Sequence, residues 1–145
     1  MLRRLRAGEL LVLVGCCLIA GSLLTYAYST PVGNLTAWES FGPAVALQLA
    51  TLFGGLAMIV AALSERESTA LPVSTAVWCV LLALLGVIAS VVRALERPDH
   101  ATGTCIGLWL ALAGCVLVLL GAWVALRDER TGSYPPPQLT PRPRP

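Results

Sequence analysis

The one histidine of the chain, His100, stands beside Asp99, and an exposed Asp–His pair has the chemistry to hold a metal ion or to sense pH. Nothing around it completes such a site. With a single histidine and no nucleophile spaced to meet it, serine–histidine hydrolysis has no basis. The five cysteines, Cys16, Cys17, Cys79, Cys105 and Cys115, make an odd set with neither a C-x-x-C pair nor a zinc spacing. Thiol–disulfide exchange on the outer side needs an attacking and a resolving sulfur, and only Cys105 is placed there. The other four lie inside apolar runs, where free cysteine acts as a small hydrophobe. The expectation is no catalytic residue, no metal and no cofactor, and so no enzyme.

The elements that must position these residues are apolar. The chain is 57% hydrophobic and 12% charged, against roughly 25% charged in soluble domains, so its solvent is a lipid bilayer. A net charge of +2 gives no electrostatic case for nucleic acid. The pattern predicts an all-α integral membrane four-helix bundle. Its spans fall at about residues 9–28, 43–63, 71–92 and 105–126, within a transmembrane domain over 1–130. Residues 131–145, TGSYPPPQLTPRPRP, are too rich in proline for helix or sheet and read as a disordered tail.

The fourth span carries the clearest signal. From Gly107 it holds no charge for twenty residues, then stops on Arg127-Asp128-Glu129-Arg130. Twenty helical residues cross a hydrocarbon core of ~30 Å. Trp109 and Trp123 lie ~21 Å apart along such a helix, which suits one indole at each interface. Gly107, Gly114 and Gly121 recur every seven residues and form a small-residue face against which another helix can pack. Packing within the chain is the first expectation and self-association the alternative. Arg127 reads as an anchor that reaches back to the interface.

The earlier spans are less marked. Three arginines precede the apolar run from Leu10 to Leu24, which closes on Tyr26 and Tyr28, taken as interfacial tyrosines. The same stretch fits a signal peptide cut after Ala27 or Ser29, and its length of about eighteen residues favours an uncleaved anchor. Thr36-Ala37-Trp38-Glu39 is a capping-box pattern, so a short helix is expected there, with Trp38 and Phe41 dipping into the interface. Asn34-Leu35-Thr36 reads as the turn before that cap. Gln48 is the only strongly polar residue of span two, and its amide should face the bundle and find a partner, a gain of ~0.6–2 kcal/mol. Pro72 is tolerated in the first turn of span three, where Ala76, Ala83 and Ser90 again recur every seven residues. After that span Arg93, Glu96 and Arg97 suggest a helix projecting past the membrane until Pro98 ends it.

Charged residues inside a membrane are the usual pointer to transport, and none lies within the four spans. Glu9 sits at the edge of span one, a turn from Arg6, and pairs with it most simply. Eight arginines, Arg3, Arg4, Arg6, Arg66, Arg127, Arg130, Arg142 and Arg144, fall on one side, against Arg93 and Arg97 on the other. By the positive-inside rule both termini are cytoplasmic, N-in and C-in, in the cell membrane.

Several features group together: Trp38-Glu39-Ser40-Phe41, Leu71-Pro72, Arg93 with Leu95 and Pro98, Gly107 with Trp109, Leu110 and Leu112, and Gly121 with Trp123 before Arg127-Asp128-Glu129. On these the chain resembles a group of small uncharacterised four-span membrane proteins of high-GC, actinobacterial-type bacteria, over about residues 35–130. The resemblance implies a fold and a location and brings no activity. Many members of that group carry an aspartate early in span two, where this chain reads Gly42-Pro43-Ala44-Val45. The expected role is a non-enzymatic accessory or assembly subunit whose partners are the bilayer and either itself or another membrane protein. Trp38, Arg93, Trp109, Trp123 and Arg127 are its candidate anchors and contact residues. The alternative is a small oligomeric channel or transporter, with Gln48 lining the pore and Arg93 and Arg97 gathering anions at its mouth.

Overall fold

The computed structural model describes residues 7–40, 42–64, 70–96 and 101–130. In chain order these form α1 (Ala7–Leu24), β1 (Tyr26–Thr30), β2 (Gly33–Thr36), the single-turn α2 (Ala37–Ser40), α3 (Pro43–Ser64), α4 (Ala70–Leu95), β3 (Gly103–Thr104) and α5 (Ile106–Arg130). Helices α1, α3, α4 and α5 are each long and apolar enough to cross a membrane. A helix meets every backbone hydrogen-bond need within itself, which lipid demands and which these uncharged runs permit. They make a four-helix bundle in which α1 packs most extensively on α5, α5 on α4 and α4 on α3, and α3 closes back onto α1.

One end of the bundle carries a small sheet, so the architecture is mostly helical and not all-α. The strand order is β2-β1-β3, both pairs antiparallel. Span one, expected over about residues 9–28, stops short of Tyr26 and Tyr28, because α1 ends at Leu24 and residues 26–30 are strand. The local chemistry explains the stop. The Ser22 hydroxyl donates to the Ile19 carbonyl at 2.6 Å, and that of Thr25 donates to the carbonyls of Gly21 and Ser22, each at 3.2 Å. Such back-bonding competes with helix propagation. Tyr-Ala-Tyr-Ser-Thr then follows, rich in the aromatic and β-branched residues that suit a pleated surface. The Asn34-Leu35-Thr36 stretch is likewise strand, closing a hairpin pinned by the Thr30 hydroxyl donating to the Gly33 carbonyl at 2.6 Å.

The remaining boundaries shift by a few residues. The fourth helix runs on through Arg127 to Arg130, and the third ends at Leu95. Glu96 still donates its amide to the Val92 carbonyl at 2.7 Å. Pro43 opens α3 after Gly42, whose φ of +49° is a left-handed turn that glycine alone adopts at no cost. Arg6, Phe41, Arg66, Arg97, Pro98, Asp99, His100 and the tail 131–145 lie outside the described residues, and with them the Glu9–Arg6 pair and the Asp–His pair.

The buried apolar side chains fall into two clusters along the bundle axis. One, at the cap end, joins Leu23, Ala27, Tyr28, Ala37, Val45 and Leu108. The other fills the middle and the far half with Val12, Cys16, Met58, Cys79, Val118 and Ala122 among its members.

Candidate functional site

Among the described residues the most extensive helix contact is the seam between α1 and α5. A Cβ on Gly121 would lie 2.6 Å from the Gly8 carbonyl oxygen, and one on Gly15 would lie 2.7 Å from that of Gly114. The two helices run antiparallel with backbone against backbone. That distance permits the weak Cα–H···O contacts typical of close helix pairs. Gly114 itself meets Ile19 and the Gly15 carbonyl, and Gly107 meets Thr25 and the carbonyl of Tyr26. All three glycines of the fourth span are therefore covered within the chain, Gly114 and Gly121 by α1 and Gly107 by Thr25 and Tyr26 just beyond it. Gly8 and Gly15 were missed from sequence, although with the buried Ser22 they keep the same spacing of seven.

Between the two apolar clusters lies a layer of buried polar side chains: Gln48 and Thr51 on α3, Ser90 on α4 and Ser22 on α1. All four are in the half of their helix nearer the cap. The Thr51 hydroxyl is shared between the Leu47 carbonyl of its own helix (2.8 Å) and the Leu82 carbonyl of α4 (3.0 Å). It is thus the cross-link between α3 and α4, made possible because Gly86 leaves room for Thr51 Oγ1 and Cys115 Sγ. Ser90 donates to the Gly86 carbonyl at 2.8 Å. Gln48 faces the bundle at 1% exposure, yet its Oε1 has no hydrogen-bond partner among the described residues. The bundle buries this amide but does not satisfy its oxygen.

The cap fastens two loops distant in sequence. Tyr28 is wholly buried, unlike the half-exposed Tyr26, so it is not an interfacial residue. Its hydroxyl donates to the carbonyl of Arg93 at 2.5 Å. That carbonyl belongs to the last turn of α4, whose oxygens have no partner within the helix. The second loop joins β1 through the Thr102 and Cys105 amides, which donate to the carbonyls of Ser29 (2.9 Å) and Ala27 (2.8 Å). The Arg93 side chain is half-buried.

On the hairpin side, Glu39 Oε2 accepts from the Thr36 amide at 2.9 Å and from the Thr36 hydroxyl at 3.0 Å. The capping residues expected from sequence thus meet at the start of α2. These donations, the amide first, hold the Glu39 carboxyl below its ordinary pKa. Its lowered folded pKa means support that is fully present above the unfolded value and lost as pH falls through the folded one. Acidification through that range should release the Thr36 amide, seen as an upfield NMR shift and faster exchange. In Glu39→Gln the titration should vanish, and a Thr36 shift that persists in that variant would assign the effect elsewhere.

The remaining sequence candidates sit on the outside. Trp38, Trp109 and Trp123 each expose more than half their surface, and Arg127 is exposed in the last turns of α5. Trp109 and Trp123 share one lipid-facing stripe with Ile106 and Leu120. Trp78 on α4 is equally exposed and was missed, although it stands about as far from the far end as Trp123. Of the cysteines, all free, Cys16, Cys79 and Cys115 are buried, Cys105 is half-buried and Cys17 is exposed. Among the described residues no three of His, Cys, Asp and Glu come together as metal ligands. No family model, curated protein or solved structure matches the chain.

Proposed function

We propose that this chain is a non-enzymatic accessory or assembly subunit of the cell membrane, working through helix contacts with another membrane protein or with itself. The observation that carries this is the interior. Every buried polar side chain among the described residues is uncharged, and three of the four are hydroxyls bonded to backbone carbonyls. Such an interior holds helices together and offers no charge to a passing ion or a reacting substrate. The outward faces, in contrast, present large side chains such as Phe53, Val60, Trp78, Ile88 and Trp123 to lipid or to a neighbour. We place both termini in the cytoplasm, since eight of the ten arginines then lie inside. The sheet then covers the outer end.

An oligomeric pore lined by Gln48 is less well supported, because that side chain faces the inside of its own bundle. The test is mass spectrometry of the tagged protein purified from its native membranes in mild detergent. A second protein at fixed stoichiometry, lost on Trp109→Ala or Trp123→Ala at unchanged expression, is the expected result. A clean homo-oligomer that passes ions in liposomes, and fails to in Gln48→Leu, would replace this reading with the channel.

A further inference from the structure

The polar layer has more acceptors than donors. Its hydroxyl protons are all committed: Ser22 to the Ile19 carbonyl, Thr51 to those of Leu47 and Leu82, Ser90 to that of Gly86. The buried phenol, Tyr28, donates to the Arg93 carbonyl, and backbone amides past the first turn of a helix are used by the helix. No described side chain donates to Gln48 Oε1, which is buried and unpartnered. A buried carbonyl oxygen left in that state costs ~1–3 kcal/mol, and native structures nearly always supply a partner. Among the described residues the donor is missing, and a small molecule from outside the protein can supply it.

We propose that the layer is a binding site for one buried water molecule, held by Gln48 Oε1 and Thr51 Oγ1. Water is the smallest molecule that brings two donors, and buried waters typically have two to four polar partners. Thr51 lies three residues after Gln48 on the same face of α3, and its oxygen keeps acceptor capacity after giving up its proton. The Gln48 amide can donate back to the water. Gln48 is five residues into α3, ~7.5 Å along the helix from its cap end, close enough to the hydrated boundary for exchange. On the far side the apolar cluster around Val12, Met58 and Val118 holds no hydroxyl, amide or charged side chain, only the thiols of Cys16, Cys79 and Cys115. The site holds a single molecule and not a file of them.

The chain has three side-chain amides, Asn34, Gln48 and Gln138, so in a nitrogen-15-labelled sample the Gln48 carboxamide has only two others to be told from. Water-edited solid-state NMR of the full chain in lipid nanodiscs should show polarisation passing from water to the Gln48 carboxamide. The backbone amide of Val118, equally buried, should receive none at the same mixing time. In Gln48→Met, which keeps the volume and removes both polar atoms, water transfer to Thr51 should be lost while the backbone spectrum is kept. Three outcomes would overturn the proposal. One is a Gln48 signal as dry as that of Val118 when Gln138 is fully polarised. Another is a Thr51 transfer that survives Gln48→Met. The third is a contact from lipid or detergent protons to the Gln48 amide, which would name a different occupant.

Discussion

Gly121→Ala should destabilise the bundle by about 1–3 kcal/mol, the cost of adding a methyl group where there is no room for one. The new Cβ would meet the Gly8 carbonyl oxygen at 2.6 Å and the Val12 amide nitrogen at 2.7 Å. Both are backbone atoms that cannot rotate aside, so α1 and α5 must separate. A thermal or SDS-titration unfolding curve reads the loss directly. Gly21→Ala is the control, because nothing lies within 4 Å of a Cβ there, and it should unfold with the parent. Gly8→Ala should match Gly121→Ala, and the double variant should cost less than the sum, since one separation relieves both contacts. If Gly121→Ala unfolds with the parent, the seam is looser than described.

Tyr28→Ala should be comparably damaging, at about 3–5 kcal/mol for emptying a buried aromatic site. The ring belongs to the cap cluster with Leu23, Val45 and Leu108, so its removal leaves a cavity under the sheet. Tyr28→Phe separates packing from the hydrogen bond. It keeps the ring, removes the phenol's donation to the Arg93 carbonyl, and should cost about 0.5–1.5 kcal/mol. Hydrogen exchange locates the effect. In the alanine variant the Thr102 and Cys105 amides, which bond to β1, should lose protection, whereas in the phenylalanine variant they should keep most of it. Equal stability of all three proteins would mean that the cap forms without this residue.

The spans were legible because length and hydropathy alone decide whether a helix can cross a bilayer, and both are local properties. The sheet was not. Tyr26–Thr30 follows the apolar run without a break, and its two tyrosines also suit a membrane boundary, so a strand there reads as the end of a helix. Its partner Gly103–Thr104 is two residues long, too short for any alternation to show. The pairing of Tyr28 with Thr104 joins loops separated by two whole spans. The glycines behaved in a mixed way. On α5 the repeat stands out against bulky neighbours, but Gly8 and Gly15 gain meaning only once α5 is known to lie against them. Burial of Gln48 followed from its isolation among apolar residues, whereas its shortage of donors depended on where three hydroxyl protons on three other residues are directed. The Thr36–Glu39 contact needed no tertiary information, since both ends lie within one turn.

The partnership of α1 with α5 also bears on how the molecule is made. Its first membrane helix finds its main companion in its last, about a hundred residues later in synthesis. At about 5–20 residues per second this is a delay on the order of ten seconds. During that interval Gly8 and Gly15 form an open groove in the bilayer, while α3 and α4, adjacent in order of emergence, can already dock. Closure of the bundle therefore waits for the ribosome to deliver α5. Until then the nascent chain presents to insertion factors and chaperones a surface that the finished protein hides.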